Sequence, residues 1–189
     1  MIFETRRLFL RPWEESDAED LYEYAKDPRV GPAAGWPVHT SVENSREIIR
    51  NVLSAPYTYA MVLQETGQVI GSIGLKFGKD SSLNLPTGEA EVGYWIGVPY
   101  WGQGLTTEAL TYIRDFAFRE LKLDKLWCGY YEGNEASRRV QEKCGFLHRF
   151  TNVNTYVPLL DTRRNERMSM INYHEWLGIQ LYLETHPKT

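Results

Sequence analysis

Apolar positions along this chain recur with two periods, and the switches between them mark out its elements. Leu8 and Leu10 alternate with polar neighbours between Arg6 and Arg11, interrupted only by Phe9, which predicts a strand ending at Pro12. Ser16-Asp17-Ala18-Glu19 has the form of a capping box. Leu21, Tyr22, Tyr24 and Ala25 follow at helical spacing, so a helix is predicted that stops before Pro28. Val30 to Val38 carries Gly31, Pro32, Gly35 and Pro37 and reads as a loop. A second capping box, Thr40-Ser41-Val42-Glu43, opens a helix predicted to run to Leu53. Two strands, Tyr57 to Gln64 and Val69 to Phe77, join through the turn Glu65-Thr66-Gly67-Gln68, and a polar loop covers Lys79 to Pro86.

The pattern is sharpest from Gly88 to Leu121, which reads as a strand, a glycine turn and a long amphipathic helix beginning near Gly102. Lys125 to Tyr131 follows as a strand, and Asn134 caps a helix that ends at Gly145, a residue that tolerates the left-handed conformation of a helix end. Phe150 to Val157 and Glu166 to Asn172 form a predicted hairpin, with LLDTRRNE as its connection. His174 to Glu184 is a terminal helix whose apolar positions could cover the chain's own sheet or a second copy, leaving monomer and homodimer both open. No repeat or linker interrupts the order. The expectation is one α+β domain over residues 1–189, with a mixed sheet and helices on its faces.

Within the sharp stretch, Glu89, Glu91, Gly93 and Trp95 fall on one strand face, with Ala90, Val92, Tyr94 and Ile96 on the other. Pro99 removes a backbone donor, so regular pairing is expected to stop there and leave a gap bordered by the backbone of Ile96 and Val98. The turn Trp101-Gly102-Gln103-Gly104-Leu105-Thr106 then aims backbone amides at whatever lies above the helix start, which suits a phosphate. Taken alone, the two glycines fit a plain turn equally well. Asn134-Glu135-Ala136-Ser137 offers a second polar helix start, whose Asn134 is a cap in any reading.

Composition narrows the partners. The chain has 189 residues, 42% hydrophobic and 24% charged, ordinary values for a soluble globular protein, and its net charge of -4 argues against nucleic acid. Neither a signal peptide nor a membrane span is legible at the start, and Cys128 and Cys144 read as buried thiols of a reducing compartment, so a cytoplasmic setting is expected. No Cys/His spacing suggests a metal.

Together, YWGQGLTTEA and NEASRRVQEKCGF resemble the two cofactor motifs of the GCN5-related N-acetyltransferase (GNAT) superfamily, and most of all its ribosomal-protein and protein-N-terminus branch. The likeness is sharp from Glu89 to Phe146. It implies an α/β/α sandwich around a mostly antiparallel sheet, with two parallel strands splayed to hold acetyl-CoA. By the same resemblance, Gly102, Gln103, Gly104, Leu105, Thr106 and Thr107 hold the pyrophosphate through their amides, Ile96 and Val98 align the pantetheine arm, and Asn134 bonds it from the other side. Three departures stand out: Trp101 where Arg or Gln is common, Thr106 where Gly or Ala is common, and Gln141 where many relatives carry the tyrosine that protonates the leaving thiolate. Ser137, one turn earlier, resembles the serine used in the ribosomal-protein branch.

The implied reaction is acetyl transfer to a primary amine, foremost a protein or peptide N-terminus. A small amine or a non-catalytic CoA-binding role are the alternatives. Glu91 sits where histone-type members carry their base, with loop orientation or a cation pair as its other reading and Glu89 as backup. Trp36 and the Tyr130-Tyr131 pair are placed around the acceptor cleft by the same analogy, while Arg163, Arg164 and Arg167 read as a basic hairpin tip.

Overall fold

The alternating stretches assemble into one mixed sheet. The computed structural model describes residues 1–187. Its strands are β1 (Phe3–Glu4), β2 (Leu8–Pro12), β3 (Thr58–Leu63), β4 (Val69–Phe77), β5 (Glu89–Ile96), β6 (Lys125–Tyr131), β7 (Leu147–Val157) and β8 (Thr162–Asn172). Its helices are α1 (Ala18–Ala25), α2 (Gly31–Ala34), α3 (Val42–Ile48), α4 (Leu105–Arg119), α5 (Glu135–Lys143) and α6 (Tyr173–Thr185). The sheet order is β1-β2-β3-β4-β5-β6-β8-β7. Neighbours are antiparallel apart from β5 and β6, whose parallel pairing requires a crossover that α4 provides. The expected α+β architecture is therefore present.

Helices cover both faces because the strands present apolar residues to both. Tyr59 and Met61 of β3 join the larger core with Leu110 and Ile113 of α4. The alternate residues Ala60 and Val62 face Leu21 and Ala25 of α1 in the second core. Leu110 and Ile113 are fully buried, and each such side chain contributes about 1.5–3 kcal/mol to docking. A helix anchored this firmly holds its first turn fixed. At the chain's end Trp176 of α6 is buried and stacks on Phe118 of α4 at 5.4 Å, so the start of α6 packs on the chain's own core, with Leu181 turned outward.

Several boundaries differ from the sequence pattern, each for a local reason. The first helix is entered through a 3-10 turn, Glu15–Asp17, capped from Glu14, because the Asp17 carboxylate serves that turn and binds Arg11. The second cap is Ser41, not Thr40: Ser41 Oγ accepts from Asn44 N at 3.0 Å. The predicted loop at Val30–Val38 contains α2, which tolerates Pro32 in its first turn and ends at Gly35 with φ +93°. The largest correction is in the last hairpin. Its connection is only Pro158–Asp161, and Arg163, Arg164 and Glu166 lie within β8, opposite Tyr156, Thr155 and Asn152 of β7.

Candidate functional site

The parallel pair is short. β5 and β6 are in register from Glu89↔Lys125 to Glu91↔Trp127 and no further. The gap expected at Pro99 thus opens well before it, and Pro99 itself sits in the 3-10 turn Val98–Tyr100. Tyr94 lies past the point of parting. Its side chain crosses towards α5, where its hydroxyl lies 2.8 Å from Ser137 Oγ. Gln141 Nε2 meanwhile donates to the Gly129 carbonyl of β6 at 3.2 Å. Side chains of α5 thereby engage groups on both diverging strands.

Ile96 borders this slot through its backbone. Gly97 N donates to Ile70 O on the β4 side, so strand alternation turns the polar groups of Ile96 towards the gap. Trp101 Nε1 donates to the Ile96 carbonyl at 3.0 Å, which leaves the Ile96 N–H facing the slot. The Val98 carbonyl is used by its own turn, through Trp101 N at 3.1 Å.

Beyond the slot, Gly102 and Gly104 both take positive φ, 75° and 76°, which L-residues with a Cβ adopt only under strain. Gly104 is the N-cap of α4 and no side chain caps the helix, so its leading amides have no intrahelical acceptor. Leu105 and Thr106 point their side chains inward and are buried; whatever they offer outward is backbone. A cavity of about 460 Å³ opens over this turn, bordered by Arg6, Arg7, Gln103, Gly104, Thr107 and Lys143. Arg7 is fixed there by donating to Gln103 O at 2.9 Å and to Glu108 at 2.7 Å. Burial opposes ionisation of Glu108, yet hydrogen bonds from Thr5 and Arg7 hold its carboxyl below the usual range. No local pattern singles out Arg7, which arrives from β2's leading edge by tertiary folding.

At the other end of the slot, Asn134 Oδ1 caps α5 by accepting from Ser137 N at 3.1 Å. Ser137 Oγ also accepts from Gln141 Nε2 at 3.3 Å, so one serine hydroxyl sits between a phenol and an amide. Gln141 is buried, and its Oε1 has no partner among the described residues. Burial pushes the Tyr94 phenol well above its ordinary value, which keeps it a neutral hydroxyl. Sequence reading assigned Tyr94 only to an apolar strand face. Cys128 and Cys144 are buried, and their thiols are pushed up by that burial.

The opposite face of β5 and β6 carries the carboxylates. Glu91 accepts from both Ser82 N at 2.6 Å and Ser82 Oγ at 2.9 Å, so each oxygen already orients the loop before β5. Glu89 is occupied by Lys125 and Trp127, both at 2.7 Å, which removes it as a backup. Glu166, predicted only as the first residue of the last strand, lies on this face within β8. Burial raises its carboxyl, Asn152 acts against that, and nearby Glu91 raises it further. Trp36 and Tyr131 do come together here. Trp36 packs edge-on to Trp95 at 5.7 Å, and the adjacent Gly35 lies against the Tyr131 ring. Arg164 covers that ring at 5.3 Å and donates to Pro32 O, while Arg167 pairs with Glu132, so the supposed basic tip is a set of local ties.

Among the described residues no cluster could hold a metal ion, and no helix is long and apolar enough to cross a membrane. Residues 7–147 match a family model described as an acetyltransferase (GNAT) domain. The chain is 32% identical over 127 residues to the uncharacterised N-acetyltransferase p20 of Bacillus licheniformis, covering 65% of this chain and 68% of that protein. It is 37% identical over 81 residues to YdaF of Bacillus subtilis, provisionally named a ribosomal N-acetyltransferase, covering 43% of this chain and 42% of YdaF. The fold superposes with a TM-score of 0.74 on a structure from Vibrio cholerae provisionally named a ribosomal-protein-serine acetyltransferase. That match has 21% identity and covers 91% of this chain and 97% of the other.

Proposed function

Because this chain belongs to the GNAT acetyltransferase family and is an N-acetyltransferase, we propose that it moves the acetyl group of acetyl-CoA onto the α-amine of a protein or peptide N-terminus. The observation that carries this reading is the slot itself. It has a helix start with uncapped amides at one end, a strand edge along its side and a pair of hydroxyls across it.

In this reading the amides of Gly102, Gln103, Gly104, Leu105, Thr106 and Thr107 receive the pyrophosphate, and the positive rim of Arg6, Arg7 and Lys143 adds attraction. The residues fit the group. A Cβ at Gly102 would meet nothing within 4 Å, so the turn is open to an anion, and the cavity lies directly over it. Ile96 and Val98 offer N–H groups to the pantetheine amides in the manner of an added strand. Asn134 presents its Nδ2 from the far side, since its Oδ1 is engaged as a cap. Acetyl-CoA supplies an activated thioester carbonyl. Ser137, hydrogen-bonded to Tyr94, stands ready to give a proton to the sulfur that leaves.

The acceptor approaches from the face lined by Glu91, Trp36 and Tyr131. An α-amine, with a pKa of about 7.7–8.0, needs only about 1 kcal/mol to become neutral at pH 7, whereas a lysine near 10.4 needs about 4–5 kcal/mol. The smaller cost of deprotonation favours the easier amine. YdaF, named for ribosomal acetylation, is a relative consistent with a protein acceptor.

Release of free CoA thiol, measured against N-terminal peptides, polyamines and aminoglycosides, tests the proposal. Turnover with peptides above the small amines supports it. Turnover with a small amine alone replaces the acceptor, and no turnover with any amine leaves a CoA-binding module.

A further inference from the structure

One half-buried carboxylate on the acceptor face lacks the ion pair that other shielded carboxylates of the fold have. Asp17, Glu89 and Glu108 lie against Arg11, Lys125 and Arg7 respectively. Glu166 forms no ion pair among the described residues, and its side chain receives only a long contact from Asn152 Nδ2 at 3.5 Å. Withholding a cation from a largely desolvated carboxylate is unfavourable, so its position needs a reason other than stability.

That position is specific. Glu91 and Trp127 are the last partners before β5 and β6 part. Two residues on, along the same face, stand Gly93 and Gly129. A Cβ on Gly93 would meet nothing within 4 Å, whereas one on Gly129 would lie 2.9 Å from Glu166 Oε1. The two glycines leave a bare floor where the slot opens onto the acceptor face. The Glu166 carboxylate leans over that floor from β8.

We infer that Glu166 takes the proton from the acceptor's ammonium group, and that Glu91 beside it anchors the Ser82 loop and adds negative charge. This rests on the amine-acetylation reading above. The ammonium gives one proton to the Glu166 carboxylate, which passes it to solvent, and the freed lone pair attacks the thioester carbonyl. The N–C bond forms and the C–S bond breaks. The nitrogen's second proton passes through water to Ser137, replacing the one that Ser137 gives to the sulfur, which leaves an amide and a thiol. The charged or titratable groups near Glu166 are Glu91 from β5, Tyr131 and the buried Cys128 from β6, and Arg164 from its own strand. Arg164 is committed to Pro32 and the Tyr131 ring, and β7 contributes only neutral Asn152. Burial and Glu91 both make Glu166 more basic, which suits proton removal near neutral pH.

The test is kcat/KM across pH for wild type, Glu166→Gln, Glu166→Asp and Glu91→Gln, with whichever amine wild type acetylates. Glu166→Gln is expected to lose about 100-fold near pH 7. The loss shrinks above about pH 8, where an α-amine is already neutral. Glu166→Asp retains part of the rate, and Glu91→Gln falls less. Unfolding midpoints no lower than wild type confirm that Glu166→Gln folds. A Glu166→Gln rate within twofold of wild type, or a deficit that is constant with pH, overturns Glu166 as the proton acceptor and leaves amine acetylation standing. Absence of turnover in wild type overturns both.

Discussion

The hydroxyl oxygens of Tyr94 and Ser137 lie 2.8 Å apart, one carried by a strand and the other by the first turn of a helix. Gln141, at the helix position that the family resemblance associates with a tyrosine, reaches the same serine with its amide. A phenol is therefore present in this part of the slot after all, delivered from β5. If Tyr94 supports Ser137 as proton donor, Tyr94→Phe and Ser137→Ala each lower kcat on the order of 10-fold to 100-fold. The two act through one hydrogen bond, so the double variant falls little below the poorer single variant. Steady-state kinetics in a double-mutant cycle check this, and multiplying effects would separate the two hydroxyls.

At the phosphate end, Gly104 combines φ 76° with a place on the cavity wall. Gly104→Trp puts an indole where an anion would sit and strains the turn by about 1–2 kcal/mol. Acetyl-CoA affinity by titration calorimetry is expected to fall at least about 10-fold, equivalent to about 1.4 kcal/mol, while circular dichroism keeps its native form.

The contrast between these two ends shows what was legible in the sequence. The strand, glycine turn and helix from Glu89 to Arg119 are contiguous, so their periodicity and turn residues identify them locally. Asn134 as a cap is equally local. Tyr94 looked like one more apolar-face residue, because its partner Ser137 is brought close only by the packing of α5. Arg7 and Gln103 are 96 positions apart, and no spacing rule connects them. Glu166 was obscured for a different reason. The polar run Thr162 to Glu166 imitates a turn, whereas it pairs with β7 as extended strand. Glu91 was visible as a strand-face carboxylate, but Ser82, which occupies it, lies in a loop without a pattern.

The tie between β2's leading edge and α4 makes a stability prediction. Glu108 has its carboxyl held below the usual range, so its contribution is present above the unfolded-state value of about 4.3 and fades as pH falls through the lower folded value. Glu108→Gln should cost about 1–2 kcal/mol at neutral pH, or about 2–8 °C in Tm. Thermal melts of both proteins should converge as the pH falls below the ordinary glutamate range.

Glu166 carries the opposite sign. Its folded-state value is raised, so the ionised carboxylate weakens the fold above the unfolded-state value of about 4.3, and the full penalty applies only above the folded one. Glu166→Gln is expected to raise Tm at pH 7–8 by about 1–3 °C, with the gain disappearing below about pH 4. Thermal melts at the two pH values measure it. A stabilised but slow variant is the signature of a group retained for chemistry.

We propose that the slot between β5 and β6 passes an acetyl group to an N-terminal α-amine. Mass spectrometry of peptides incubated with the protein and acetyl-CoA tests it most directly. The expected result is a gain of one acetyl group localised to the N-terminal amine, reduced by Gly104→Trp at limiting acetyl-CoA and strongly slowed by Glu166→Gln. Acetyl-CoA binding without acetylation of any peptide or small amine would contradict it.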